Sequence, residues 1–158
     1  FLGSHPCEIV PILCGSFHEF VIGQQSPSSF LPFKTALDVL QRMTAGKRTL
    51  IVAAADLAHV GPAFGDQSLY RQPEKDALRY NDHCLLSAVA RADHEDFFEN
   101  IKNVDDQYRI CGMPPIYLAL RMLAQATGRT TGYDQCPADD EDRSFVSVAG
   151  VLLQRKRV

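Results

Sequence analysis

The sequence predicts a layered α/β protein, with a central, mostly buried β-sheet flanked by helices. Three observations predict it. Apolar, β-branched runs of strand type recur along the chain, amphipathic stretches at helical spacing lie between them, and the two kinds alternate. With 158 residues, 46% of them hydrophobic and 22% charged, the chain is long enough for one domain with a sizeable core.

The elements follow in order. Glu8–Ser16, EIVPILCGS, is apolar and β-branched and ends at glycine, which predicts a buried strand; Pro11 places it at a sheet edge or an irregularity. GQQSPSS is a loop. Phe30, Phe33, Leu37 and Leu40 recur at helical spacing, and Gly46 closes that helix. RTLIVAAA, ending at Ala55, predicts a second buried strand, followed by the long loop HVGPAFGDQSLYRQP. Leu78, Leu85 and Val89 predict a helix over about Glu74–Arg91, and Asp93 is placed to cap a short helix carrying Phe97 and Ile101. After CGMPP, the stripe Ile116, Ala119, Leu120, Leu123 and Ala124 predicts a helix with Pro115 in its first turn and Gly128 at its end. SFVSVAGVLLQ is a final strand. There is no internal repeat and no low-complexity segment.

Charge and cysteine content narrow the function classes. A net charge of -3 gives no electrostatic basis for nucleic-acid binding. The one basic cluster, RKRV at the end of the chain, reads as a solvated tail. No apolar run approaches the roughly 20 residues of a membrane span. No signal peptide is visible, yet Phe1 is not an initiator methionine, which fits a fragment and leaves any targeting segment unread. Five cysteines at irregular spacing, with no Cys-x-x-Cys pair, fit neither a disulfide framework nor a zinc knuckle. Reduced thiols and a cytoplasmic location are the expectation, most of the thiols being small buried hydrophobes.

Two places carry chemistry. Asp56 and His59 stand at the carboxyl end of LIVAAA, where ligands sit in α/β sheets. A carboxylate and an imidazole three residues apart converge if the chain turns, and such a pair suits a metal site or acid–base work. The alternative is that Asp56 caps a turn and His59 lies satisfied at the core edge. Cys111 precedes Gly112 and a helix opened by Pro-Pro; the positive end of that helix would lower the thiol pKa and favour thiolate, a nucleophile and metal ligand. The alternative is a buried structural cysteine. His5, His18, His83 and His94 have no comparable context, and His83 and His94 read as surface residues.

Four segments in order, CEIVPILCGS, LIVAAADLAHVGPAFGD, RICGMPPIYLAL and TTGYDQC with SFVSVAGVLL, resemble the Memo-like family, whose bacterial and archaeal members are called AmmeMemoRadiSam system protein B. The family's strand-ending (Ser/Ala)-Asp-(Phe/Leu)-x-His is similar to the stretch at Asp56 and His59. Its Cys-Gly-x-x-Pro-(Ile) is similar to Cys111, Gly112, Pro115 and Ile116. The resemblance spans nearly the whole chain. It implies the fold of class III extradiol dioxygenases, a mixed sheet flanked by helices around a metal-type pocket. It also implies a site of two histidines from an N-terminal half joined by the Asp-x-x-His pair and the cysteine. This sequence holds only the second group and lacks the family's His-Ser-x-Glu stretch. Residues 1–158 therefore look like the C-terminal part of a single Memo-like domain whose N-terminal part is absent, with Phe1–Gly3 ending a preceding helix.

The chemistry so implied is a non-haem metal pocket, with Fe(II) or another divalent metal held by Asp56, His59 and Cys111 and bound weakly or not at all by this fragment. Redox or dioxygenase-like chemistry on an unknown substrate follows. A thiolate in place of a carboxylate is softer and oxidisable, so catechol cleavage does not carry over. A second reading is a non-catalytic module that binds a small molecule or peptide in the same pocket, since eukaryotic Memo proteins are associated with receptor-tyrosine-kinase signalling. A third is a metal-free Cys111–His59 nucleophile pair with Asp56 orienting the imidazole. Expected partners are the missing N-terminal half or an oligomeric copy, with no nucleic acid and no membrane. If Asp56, His59 and Cys111 form one site, their ligand atoms converge within about 4–8 Å, around a point at metal–ligand distances of ~2.0–2.3 Å.

Overall fold

Helices and a small antiparallel sheet share one core. The computed structural model describes residues 7–155. The expected helix end at Phe1–Gly3 and Lys156–Val158 of the basic tail lie outside the described residues. In order, the elements are α1 (His18–Ile22), α2 (Leu31–Thr44), β1 (His59–Val60), α3 (Gln72–Ala90), α4 (His94–Lys102), α5 (Met113–Met122), β2 (Ala126–Pro137) and β3 (Phe145–Arg155). The sheet order is β1-β3-β2, both pairings antiparallel, so β3 is central. The α/β class is borne out.

Helix boundaries follow local chemistry. The Asp93 side chain accepts a hydrogen bond from the Asp96 N–H at 3.0 Å and caps α4, a contact worth about 1 kcal/mol. Phe97, Phe98 and Ile101 then face inward and are fully buried, each contributing roughly 1.5–3 kcal/mol. Helix α5 carries Pro114 and Pro115 in its first turn, where their missing N–H groups cost nothing. It stops at Met122, earlier than the expected Gly128. Gln125 takes a left-handed φ of 69° and turns the chain into β2, which contains Gly128.

Two predicted strands are absent. Residues 8–16 and 48–55 have no regular structure, and they are not buried: Ile9 is 82% exposed, Leu13 99%, Leu50 80% and Val52 72%. A strand persists only with a lateral partner, and among the described residues nothing pairs with either run. The converse error is β2. Its sequence, ATGRTTGYDQCP, is glycine-rich and mostly exposed, so no apolar run announces it; pairing with β3 along its length creates it, with an irregularity between Thr130 and Gly132.

The core lies between α3, α4, α5 and the inner face of β3. Leu57, Ala58 and Val60 enter it from beside β1, meeting Leu78 and Leu85 of α3, Tyr117 of α5 and Phe145 of β3. Helix α2 commits only Leu37 fully; Leu31, Val39 and Met43 stay exposed. His94, expected at the surface, instead lays its ring edge-on to Tyr117 at 5.3 Å, and burial depresses its pKa, with the Arg121 charge adding to the effect.

One buried acid has a consequence for stability. Asp82 on α3 is wholly buried, accepts a hydrogen bond from the Tyr133 hydroxyl at 2.8 Å, and leaves Oδ1 without a well-formed hydrogen bond. Burial raises its pKa; the Ser147 and Tyr133 hydroxyls and the His83 charge offset this only in part. Because the folded-state pKa lies above the unfolded one, the stabilising contribution is complete below the ordinary carboxylate pKa and is lost as pH rises through the raised value. Asp82→Asn keeps an acceptor for Tyr133 and removes the titration. The stability of Asp82→Asn relative to wild type is therefore expected to increase, by on the order of 1 kcal/mol, between pH 4 and pH 8. Urea melts across that range check it; a constant difference would show that Asp82 does not titrate differently on folding.

Candidate metal centre

The segment Asp56–His59 is fixed by backbone hydrogen bonds from two directions. On one side, Leu57 N–H donates to the Ser147 carbonyl at 2.9 Å, Ser147 N–H donates to the Ala58 carbonyl at 3.0 Å, and Ala58 N–H donates to the Ser147 hydroxyl at 2.9 Å. On the other, His59 N–H donates to the Tyr108 carbonyl at 2.8 Å and Gly112 N–H to the Asp56 carbonyl at 3.1 Å. The chain that carries Asp56 and His59 is thus laced to β3 and to the loop that carries Cys111.

The three expected residues come together. One ligand atom from each of Asp56, His59 and Cys111 lies within 4.8 Å of the other two. Two ligands on one ion can be no farther apart than twice the metal–ligand distance, about 4–4.6 Å for first-row metals, so the cluster is within a few tenths of an ångström of that span. The His59 Nε2 lies 3.9 Å from Asp56 Oδ2, while Nδ1 lies 3.2 Å from the Leu57 carbonyl. With its proton on Nδ1 and donated to that carbonyl, the ring presents the Nε2 lone pair to the cluster, the arrangement of ligating histidines. The ring is also held edge-on by Phe64, centroids 5.1 Å apart. The Asp56 side chain is 51% exposed and that of His59 20%, so the cluster opens to solvent on its carboxylate side.

Cys111 lies two residues before α5, with its thiol 4.0 Å from the Asp56 carbonyl. The expected lowering of its pKa does not occur. Burial pushes the thiol up, the negative charges of Asp56 and Asp106 push the same way, and the backbone contact with Asp56 opposes them without prevailing. A thiolate beside the Asp56 carboxylate is unfavourable unless a cation lies between them; a bound divalent ion reverses that balance and deprotonates the thiol. Imidazole, carboxylate and thiolate together form a mixed N, O, S set that fits a borderline divalent metal such as zinc or iron.

The nucleophile arrangement fits less well. A Cys–His–Asp relay needs the carboxylate on one ring nitrogen and the sulfur on the other. Here Nδ1 faces a backbone carbonyl and the carboxylate lies on the Nε2 side, so neither ring nitrogen is left for the sulfur alone.

Residues not singled out from the sequence complete the surroundings. Ser147, fully buried, supplies its backbone and hydroxyl to Leu57 and Ala58. Asp66 accepts from Gly61 N–H at 2.7 Å and pairs with the Arg109 guanidinium. Burial tends to raise the Asp66 pKa, but the hydrogen bonds from Arg109 and Gly61 and the Arg109 charge win and hold it below the ordinary value. Asp66 sat inside the motif HVGPAFGD, with nothing in its spacing to tie it to a residue 43 positions away.

A three-stranded antiparallel sheet with helices packed about it, carrying a His/Asp/Cys cluster beside its first strand, defines an α/β protein with a metal-type donor set. The family model described as "Memo-like protein" matches residues 8–152, and the chain belongs to that family. No curated protein matches the sequence. Among the described residues no helix is long and apolar enough to cross a membrane.

Gly112 joins the halves of the cluster, and a side chain there has no room. A Cβ would overlap the Asp56 carbonyl and lie 2.9 Å from the Ala55 Cβ. Gly112→Ala is expected to force Asp56 and Cys111 apart and to lower unfolding stability by about 1–3 kcal/mol. Denaturant unfolding measures the second effect; an unchanged midpoint would mean that the two segments separate freely.

Proposed function

We propose that Asp56, His59 and Cys111 are ligands of a divalent metal of the non-haem iron type, and that the protein performs redox or dioxygenase-like chemistry there. The single observation that carries this reading is the convergence of the three ligand atoms within 4.8 Å, from segments 55 residues apart. When bound, the metal would supply a Lewis-acid centre able to exchange electrons with substrate. His59 would contribute Nε2, its tautomer held by the Leu57 carbonyl. Asp56 would contribute a carboxylate on the solvent side. Cys111 would contribute a sulfur whose proton is released on metal binding and whose softness tunes the potential.

The reading also holds that residues 1–158 form the C-terminal part of the Memo-like domain, and that a further polypeptide supplies the remainder of the sheet and more ligands. Its support is the exposed apolar surface: Ile9, Val10, Ile12 and Leu13, then Leu50 and Val52, then Leu31, Val39 and Met43 of α2. A stable monomer rarely leaves so much apolar surface in water. The second reading, a ligand- or peptide-binding module, is favoured by one feature. An apolar groove of about 680 Å³ lies between Ile12 and α2, lined by Leu31, Ala36 and Val39 among others and by none of the three cluster residues. That groove suits an apolar segment rather than a phosphorylated one.

Elemental analysis of protein purified without added metal, with the N-terminal part present, is expected to find a stoichiometric first-row metal. Cys111→Ser is expected to lower that content about tenfold or more. Cys84→Ser, on α3 away from the cluster, is expected to leave it unchanged. Equal content in both variants would remove Cys111 from the ligand set, and a metal-free wild type would favour the binding module. Separately, residues 1–158 alone are expected to self-associate in light scattering at micromolar concentration; a monodisperse monomer would count against the missing covering segment.

A further inference from the structure

We propose that Arg109 and Asp66 form a positioning clamp that locks His59 to the Cys111 loop and so sets the spacing of the ligand atoms. The inference rests on the metal reading for its chemical meaning, though the clamp itself is a matter of geometry.

Arg109 lies two residues before Cys111. One arm of its guanidinium, Nη1, donates to the His59 carbonyl at 3.2 Å; the other, Nη2, binds Asp66 Oδ1. The second Asp66 oxygen accepts from Gly61 N–H at 2.7 Å, and Asp66 N–H donates back to the Gly61 carbonyl at 3.2 Å. The turn 61–66 is thereby closed into a ring that presents Phe64 to the edge of the His59 imidazole. His59 is consequently gripped at its N–H by Tyr108, at its C=O by Arg109 and at its ring by Leu57 and Phe64.

Two features mark Arg109 as more than a surface charge. Its backbone is left-handed, φ 50°, in a loop where Asp105 and Asp106 also have positive φ. Non-glycine residues hold that conformation where surrounding contacts enforce it. Its planar fork also reaches two acceptors on different segments from separate nitrogens, a spread that the single nitrogen of a lysine does not reproduce. The clamp thus discriminates between charge and shape. Arg109→Lys keeps the charge and the attraction to Asp66 but loses the bridge to His59.

The test uses the protein with the N-terminal part present, in wild type, Arg109→Gln, Arg109→Lys and Asp66→Asn, with Arg91→Gln as control; Arg91 pairs with Asp96 and touches no cluster residue. The metal-free readout is the NMR cross-relaxation between the His59 and Phe64 rings. It is expected to fall to about half or less in all three clamp variants and to stay at the wild-type value in the control. The loaded readout is Co²⁺ titration followed by the thiolate charge-transfer band, with affinity expected to weaken about tenfold or more in the same three variants. Wild-type ring contact in Arg109→Lys or in Arg109→Gln overturns the clamp. If Arg109→Gln does not fold, Arg109→Lys and Asp66→Asn decide the matter alone. A wild-type chain that binds no Co²⁺ counts against the metal reading, while the ring contact still tests the clamp.

Discussion

The structure depends on the backbone lacing of residues 56–59. Leu57 and Ala58 exchange hydrogen bonds with Ser147 on β3, and His59 and Asp56 exchange them with Tyr108 and Gly112 on the opposite side. Each such bond contributes about 1 kcal/mol net, but their geometric effect is larger. They fix a four-residue segment between a sheet and a loop, at the place where Leu57, Ala58 and Val60 are sunk into the core. The apolar side chains give the segment its anchorage, and Asp56 and His59, on either side of the buried pair Leu57–Ala58, stand at the rim. Core burial and ligand placement are two faces of the same run of residues.

Electrostatics favours the proposed reading of the cluster as a cation site. Asp56 and Asp106 bring negative charge to a thiol whose pKa partial burial already raises. Arg109 is not available to compensate, because its guanidinium is committed to Asp66 and the His59 carbonyl. The cationic side chain nearest in sequence to the cluster is therefore spent on holding the loop in shape. An imidazole fixed by its far nitrogen, a solvent-facing carboxylate and a thiol remain, and on the proposed reading a metal ion would satisfy all three at once.

Much of this was legible in the sequence, for reasons that also explain the failures. Helices α3, α4 and α5 declared themselves because their burying stripes and their caps, Asp93 among them, are local signals. The cluster was legible because Asp56, His59 and Cys111 stand in two short motifs, and the geometry that joins them is carried by backbone contacts that any sequence with Gly112 can make. What was not legible is what depends on partners far along the chain. Strand β2 is made by β3, not by its own composition. The pKa of Cys111 depends on Asp56, 55 positions earlier, and the clamp joins Arg109 to Asp66. Residues 8–16 and 48–55 failed for the opposite reason: their composition asks for a sheet, and the described residues offer no edge to receive them.

The second of those runs bears directly on the cluster. Asp56 stands at the boundary between the exposed stretch Leu50–Ala54 and the laced segment that begins at Leu57. Its carbonyl is held by Gly112, yet its carboxylate is half exposed and is preceded by chain without regular structure. His59, four-fold held and only one-fifth exposed, is the rigid member of the set; Asp56 is the adjustable one. On the proposed arrangement, a strand laid against residues 50–55 would extend the lacing through Asp56. It would then fix the carboxylate as firmly as the imidazole is fixed now. Completion of the sheet and completion of the ligand sphere would be one event, because the residue that ends the unpaired run is the residue that begins the site.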